Sequence, residues 1–190
     1  TIASLTEVII ADGTGNGADL DNIVVTNGEG ALTSVVDFAS GITYTDATNK
    51  STTVFTLDNS ETTSKTDGID ISGTTTFDSV DTLTINSVGG MLTADTTNTR
   101  TNLDANSVTI ADGTQITTIN ITGDTDVEVV ASLETGAATF NASAHTGNVS
   151  LTVDNTKEKS ITMGAGNDAV DLGTNTAITT VDLGAGNDTL

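Results

Sequence analysis

The chain of 190 residues contains no cysteine, no proline and no tryptophan, and its aromatic residues are one tyrosine and four phenylalanines. Without cysteine there are no disulfide staples, no thiol nucleophile and no soft metal ligand, so any metal it holds is a hard cation with oxygen ligands. The lack of proline leaves every backbone N–H free to join a sheet ladder. Basic residues are scarce as well: five Lys and Arg face 26 Asp and Glu, for a formal charge of −21 with the single histidine neutral. Such a polyanion repels nucleic acid and anionic membranes and attracts divalent cations. Two carboxylates about 4 Å apart repel by roughly 4 kcal/mol at an effective dielectric of 20, so a cation is expected to help this chain become compact. No stretch reaches the roughly 18 to 20 apolar residues of a membrane span, and no basic, then apolar, then small-residue signal opens the chain. It starts at Thr1 and stops at Leu190 inside a repeat, which reads as a piece of something longer.

What the chain has instead is β-branched residues in short alternations among abundant threonine. Val8-Ile10, Val54-Thr56, Ile69-Ile71, Leu83-Ile85, Ile119-Ile121 and Val149-Leu151-Val153 follow the period of two that strands require, and no helical stripe of useful length appears. In the second half these pairs recur evenly. The series Ile119, Phe140, Ile161, Val181 advances by 21, 21 and 20 residues, and Val127, Val149, Val170, Leu190 by 22, 21 and 20. A period near 20 residues with two short strands per turn predicts an all-β chain with a parallel β-helix or β-roll-like solenoid over 76–190, each turn covering its neighbour's apolar face. Residues 1–75 are less regular and are expected to form an irregular β-rich module, either separate or continuous with the rest.

The most specific motif is Gly164-Ala165-Gly166-Asn167-Asp168, repeated letter for letter as Gly184-Ala185-Gly186-Asn187-Asp188. Glycines permit positive φ and expose carbonyl oxygens, and aspartate supplies the anionic oxygen that calcium prefers. The two loops lie one turn apart, so Asp168 and Asp188 are expected to approach one Ca²⁺ with the carbonyls of Gly164, Gly166, Gly184 and Gly186, and with Asn167 and Asp171 as further donors. Gly173 opens the opposite edge, where the motif has decayed to Gly173-Thr174-Asn175-Thr176-Ala177. Stepping back one turn places Asn148 under Asp168 and Gly147 under Asn167; a further turn reaches Asp124 and Asp126, whose Asp/Gly setting also suits a plain turn. The loop carrying Asp12, Asn16, Asp19 and Asp21 spaces its oxygens like a calcium loop, but Ile23 stands where an EF-hand needs glutamate, and an Asx-rich turn explains it equally. Catalysis would depend on His145, the sole histidine, in a phrase that reads as an exposed turn; with no H-E-x-x-H and few aromatics to build a pocket, the chain is not expected to be an enzyme.

The Gly-Ala-Gly-Asn-Asp copies resemble the G-G-x-G-x-D-x-U-x repeat of the RTX, or hemolysin-type, calcium-binding family, departing from it at Met163 and Leu183. With Val80-Asp81-Thr82-Leu83-Thr84-Ile85, Ile121-Thr122-Gly123-Asp124 and Phe140-Asn141-Ala142-Ser143-Ala144-His145-Thr146-Gly147-Asn148, residues 76–190 look like the RTX-type bacterial surface-layer proteins. That resemblance implies export by a C-terminal signal, folding outside the cell where calcium is plentiful, and assembly with copies of itself into a lattice on the cell surface. It also implies attachment to an envelope glycan through a part not in this chain. Giant RTX adhesins use similar repeats as extender or ligand-binding modules, and this is the alternative. Neither reading involves nucleic acid or membrane insertion.

Overall fold

Strands that alternate apolar and polar residues must cover one side, and parallel strands must in addition be joined by crossovers. The computed structural model resolves how this chain meets both demands, and it describes residues 5–10, 23–34, 42–46, 52–58, 68–89, 105–111, 116–132, 139–153, 160–174, 178 and 180–190. In chain order the strands are β1 (Leu5–Ile10), β2 (Ile23–Ser34), β3 (Ile42–Asp46), β4 (Thr52–Asp58), β5 (Asp70–Asp78), β6 (Thr82–Val88) and β7 (Asn106–Ala111). They continue as β8 (Thr118–Gly123), β9 (Val127–Ser132), β10 (Thr139–His145), β11 (Val149–Val153), β12 (Ser160–Thr162), β13 (Ala169–Asp171) and β14 (Thr180–Asp182). No helix occurs among the described residues, and so none long and apolar enough to cross a membrane.

Every pairing is parallel, and successive strands alternate between two ladders. The odd ladder runs β2–β3–β5–β7–β9–β11–β13 and the even ladder β4–β6–β8–β10–β12–β14. Strand β2 serves both: its first part, from Ile23, pairs with β3, and its last four residues, Ala31 to Ser34, pair with β4, while β1 lies on the other side of that second part. Counting β2 with the odd strands and β1 with the even ones gives two parallel sheets of seven.

The even ladder carries the expected register: Ile119 pairs with Phe140, Phe140 with Ile161, and Ile161 with Val181. On the odd ladder Val127 pairs with Val149, but Val170 sits on Leu151 rather than on Val149, two residues from the position that even spacing predicts. The cause is local. Strand β10 is seven residues long, shifts register between Asn141 and Ala144, and reaches β11 through three residues, whereas β12 is three residues long and is followed by a six-residue turn. The ladders also run through position 76, inside β5, which pairs with β3 and β7. Spacing in the first half is wider and uneven: Leu32, Phe55, Ile85 and Ile121 stack with steps of 23, 30 and 36 residues.

Where side chains are described, the apolar side of a strand faces the other ladder. Strands β4, β6, β7 and β9, and β8 as far as Thr122, alternate buried with less buried residues, so Leu83, Ile85, Val108, Ile110, Ile119, Ile121 and Val129 fill the interior. Burial of each such side chain stabilises by about 1.5–3 kcal/mol. In the early circuits the filling is aromatic: Tyr44 packs on Phe77 of the same odd ladder, with ring centroids 5.8 Å apart, and Phe77 meets Phe55 of the even ladder at 5.7 Å. Such tilted pairs add about 0.5–1.5 kcal/mol beyond area. Asn106 crosses the same interior. Its Oδ1 accepts the Ile69 N–H at 2.7 Å, and its Nδ2 donates to the Leu57 carbonyl at 3.2 Å and to Ser87 Oγ at 2.9 Å, tying the odd ladder to the even one.

Candidate functional site: a stacked glycine and Asx edge

The chain passes from the even to the odd ladder at one edge, through residues 124–126, 146–148 and 163–168, and enters residues 183–188 from β14. These segments stack. Ala185 N–H donates to the Gly164 carbonyl at 2.9 Å and Thr189 N–H to the Asp168 carbonyl at 2.8 Å, so the two Gly-Ala-Gly-Asn-Asp copies lie directly one above the other.

Close stacking explains the glycines. A Cβ on Gly166 would collide with the Gly147 carbonyl, and one on Gly186 with that of Gly166; Gly164 and Gly184 are pressed likewise against the carbonyls of His145 and Gly164. Gly184 and Gly186 also require positive φ, 77° and 146°, whereas the first copy's glycines do not, so at Gly164 and Gly166 it is close approach rather than backbone freedom that excludes a side chain.

The asparagines and aspartates form two oppositely directed ladders. In the first, each side-chain oxygen accepts a backbone N–H from the following circuit: Asp126 Oδ1 from Asn148 at 2.9 Å, Asn148 Oδ1 from Asn167 at 2.7 Å, and Asn167 Oδ1 from Asn187 at 2.9 Å. In the second, each oxygen accepts from the preceding circuit: Asp168 Oδ1 from Val149 at 2.8 Å, and Asp188 Oδ1 from Asp168 at 2.9 Å. The stacking order therefore differs by one residue from the sequence expectation. Asn148 lies under Asn167, not Asp168, and Gly147 under Gly166, not Asn167. The Asn of the motif caps upward and its Asp downward, which gives both letters a structural use without any ion.

Asp168 is nonetheless not fully satisfied. It is 1% exposed, and its Oδ2 has no hydrogen-bond donor. Burial raises the pKa of its carboxyl, opposed by the Val149 N–H, reinforced by the neighbouring Asp188 carboxylate, and opposed further by the Gly164 N–H, which lies outside hydrogen-bonding geometry, and by His145. His145, below it on the same edge, is fully buried rather than lying in an exposed turn, and neither ring nitrogen has a hydrogen-bond partner. Burial holds its pKa below 6.5, against the pull of the Thr122 carbonyl, which lies outside hydrogen-bonding geometry, and of the Asp168, Asp126 and Asp124 carboxylates. The register shift in β10 turns His145 inward: Phe140 and Ala142 face the core, the shift follows, and Ala144 points out in place of His145. A count by twos along the sequence cannot register that insertion.

Of the remaining candidates, Asp126 is buried and accepts from both the N–H and the Nδ2 of Asn148, at 2.9 Å each, while Asp124, two residues before it, is exposed. Asp171 belongs to the opposite edge, where its Oδ1 accepts the Gly173 N–H at 2.8 Å; Gly173 does open that edge. Asp12, Asn16, Asp19 and Asp21 lie outside the described residues. Asn106, with its bonds to both ladders, was not singled out in the sequence, since nothing in Ala105-Asn106-Ser107 separates it from a turn asparagine.

Calcium can be tested against these residues. The donor chemistry fits: hard oxygens only, two carboxylates one circuit apart, and one buried carboxylate oxygen left without a donor. Among the described residues no three His, Cys, Asp or Glu side chains group as a metal site, so an ion at Asp168 would draw most of its ligands from amide and backbone carbonyl oxygens. Comparisons with protein-family models, with curated proteins and with solved structures found no match to this chain.

Proposed function

We propose that the chain is a calcium-stabilised β-solenoid, a structural unit of a secreted bacterial surface layer that associates with copies of itself. The observation that carries this reading is the unpartnered, buried Asp168 Oδ2 within a stacked Gly-Asx edge of a chain with charge −21. A carboxylate oxygen in that position is costly alone and favourable beside a cation. The Gly-Ala-Gly-Asn-Asp copies and their resemblance to RTX repeats add the identity of the cation. Two parallel ladders joined at each circuit are the architecture that a solenoid uses, and a solenoid supplies rigidity without disulfides.

In this reading Asp168, Asp188, Gly164, Gly166, Asn167, Gly184 and Gly186 hold the ion, which supplies the positive charge that the edge lacks. Extracellular modules bind calcium with a Kd of about 10⁻⁴ to 10⁻³ M. At ten times Kd the folded state gains about 1.4 kcal/mol by mass action. Calorimetric titration of the full chain with calcium, followed by electron microscopy of the same material, tests the proposal. Saturable binding and ordered sheets that appear only with calcium support it. Absence of binding, or a circular dichroism spectrum indifferent to excess chelator, overturns the calcium part. Calcium-loaded monomers at every concentration overturn the self-assembly and leave the adhesin extender.

A further inference from the structure

Among the described residues five buried side-chain polar atoms lack a hydrogen-bond partner, and three of the five belong to two neighbours in the stack: Nδ1 and Nε2 of His145 and Oδ2 of Asp168. Both residues are buried, and bare polar atoms concentrated at one point of an interior mark a place for an occupant. The backbone brings the two side chains together from adjacent circuits. Ala165 N–H donates to the His145 carbonyl at 3.4 Å and Val149 N–H to Asp168 Oδ1 at 2.8 Å, so residues 145–149 and 164–168 are tied at both ends. Gly164 lets them close, since a Cβ there would stand 2.2 Å from the His145 carbonyl oxygen. Of the carboxylates around the imidazole, Asp168 acts on it more strongly than Asp126 or Asp124, and His145 acts on Asp168 in turn. Asp126 is engaged by Asn148 and Asp124 is exposed, so Asp168 Oδ2 is the buried carboxylate oxygen left for the ring.

The chemistry of the pair selects its occupant. Calcium takes oxygen ligands and makes no use of an imidazole, whereas zinc, cobalt(II) and nickel(II) bind imidazole nitrogen and carboxylate oxygen together. Burial favours the neutral imidazole, the form that offers a lone pair to a metal. The Thr122 carbonyl lies beside the same ring. Metal-bound imidazoles turn their other N–H towards such a carbonyl, which fixes the tautomer. A trapped water would also give these atoms partners, but it would leave the charge of Asp168, with Asp188 next to it, uncompensated in a chain of −21. The sequence kept only oxygen donors in view because His145 read as part of an exposed turn; its inward position adds the nitrogen. With two side chains as ligands, backbone carbonyl or water oxygen fills the remaining positions.

We propose that His145 and Asp168 bind a divalent transition ion of the zinc class inside the Gly-Asx edge. The inference does not rest on the calcium reading, although the two ions compete for Asp168 Oδ2. Because both ligands are enclosed, the ion enters as the circuits close, and its binding is coupled to folding. The test is to refold the full chain with zinc or cobalt(II), once without calcium and once in excess calcium, to remove free ion, and to measure metal retained per chain. The expected result is one retained ion in at least one of the two conditions, cobalt absorption bands of a site with a nitrogen ligand, and a shift in the ring proton signals of the chain's single histidine. His145→Leu, which keeps a buried apolar side chain, should lose the ion, and Asp168→Asn should release it to chelator several-fold faster. No retained ion in either condition overturns the proposal in favour of a trapped water, and so does retention undiminished in either variant. Where the variants do not fold the parent decides, since metal retained with the histidine signals unmoved overturns it. Calcium binding by the parent in the absence of zinc, measured alongside, reads the earlier proposal separately.

Discussion

At the scale of the residue, Asp168 and His145 carry the tension in the edge. Asp168 holds one oxygen against the Val149 N–H and buries the other without a partner. Asp168→Asn keeps the acceptor and removes the charge, so in chelator the variant should be more stable than the parent by about 1 kcal/mol. On the proposed function it should also lose the stabilisation expected of the parent when calcium is added; thermal melts with and without the ion read both effects. For His145 the folded pKa lies below the ordinary 6.5. Above that value both states are neutral at this site and nothing changes. As pH falls below 6.5 the unfolded chain takes up the proton first, so stability is lost until the lowered folded pKa is passed. Asp168 acts in the opposite sense at lower pH, since its raised pKa lets the folded state protonate first on the way down to the ordinary value near 3.8. Melts of chelated protein from pH 7.5 to 5 should therefore show a downward slope that His145→Leu flattens. An equal slope in the variant refutes the assignment.

At the scale of the element, register is held by polar groups as much as by apolar ones. Parallel strands with a period of two can slip by two residues without exposing their apolar side, and threonine-rich outer positions do little to prevent it. Asn106 supplies what the pattern lacks: one amide bonded to β4, β6 and the residue preceding β5. Asn106→Ala would leave the buried Ile69 N–H and Ser87 hydroxyl short of a partner, and a loss of about 1–3 kcal/mol is expected. Urea unfolding measures it; a change within a few tenths of a kcal/mol would show that water replaces the amide there. The Asx edge acts by the same logic. Its two opposed ladders bind each circuit to the one above and the one below, and the glycines admit no side chain between them.

At the scale of the whole molecule, cohesion is local along the stack: strands touch those one circuit away, and each added circuit stabilises its neighbours. The ends are thus the weakest parts. Buried residues fill the interior from Leu32 to Val170, whereas Leu172, Val181 and Leu183 are only partly covered and Leu190 is 66% exposed. Amide hydrogen exchange of the isolated chain should be fastest in β13 and β14 and slowest from β3 to β10, where the aromatic trio and the Asn106 bonds lie. Uniform protection across all strands would mean that the molecule opens only as a single unit.

The sequence by itself determined the class of structure. Absence of proline, alternating β-branched residues and a period near 20 permit little besides stacked parallel strands, because these patterns act through local sterics and the covering of one apolar side. The stacking of the two Gly-Ala-Gly-Asn-Asp copies and the register from Ile119 to Val181 were legible for the same reason. Only tertiary structure decided the remainder: that Val170 meets Leu151, that Asn148 lies beneath Asn167, that His145 turns inward after the shift in β10, and that Asp171 sits across the molecule from Asp168. Each of these depends on how many residues a turn or an irregular strand consumes, and that number is set by the backbone packed against it in the next circuit, not by the letters of the turn itself.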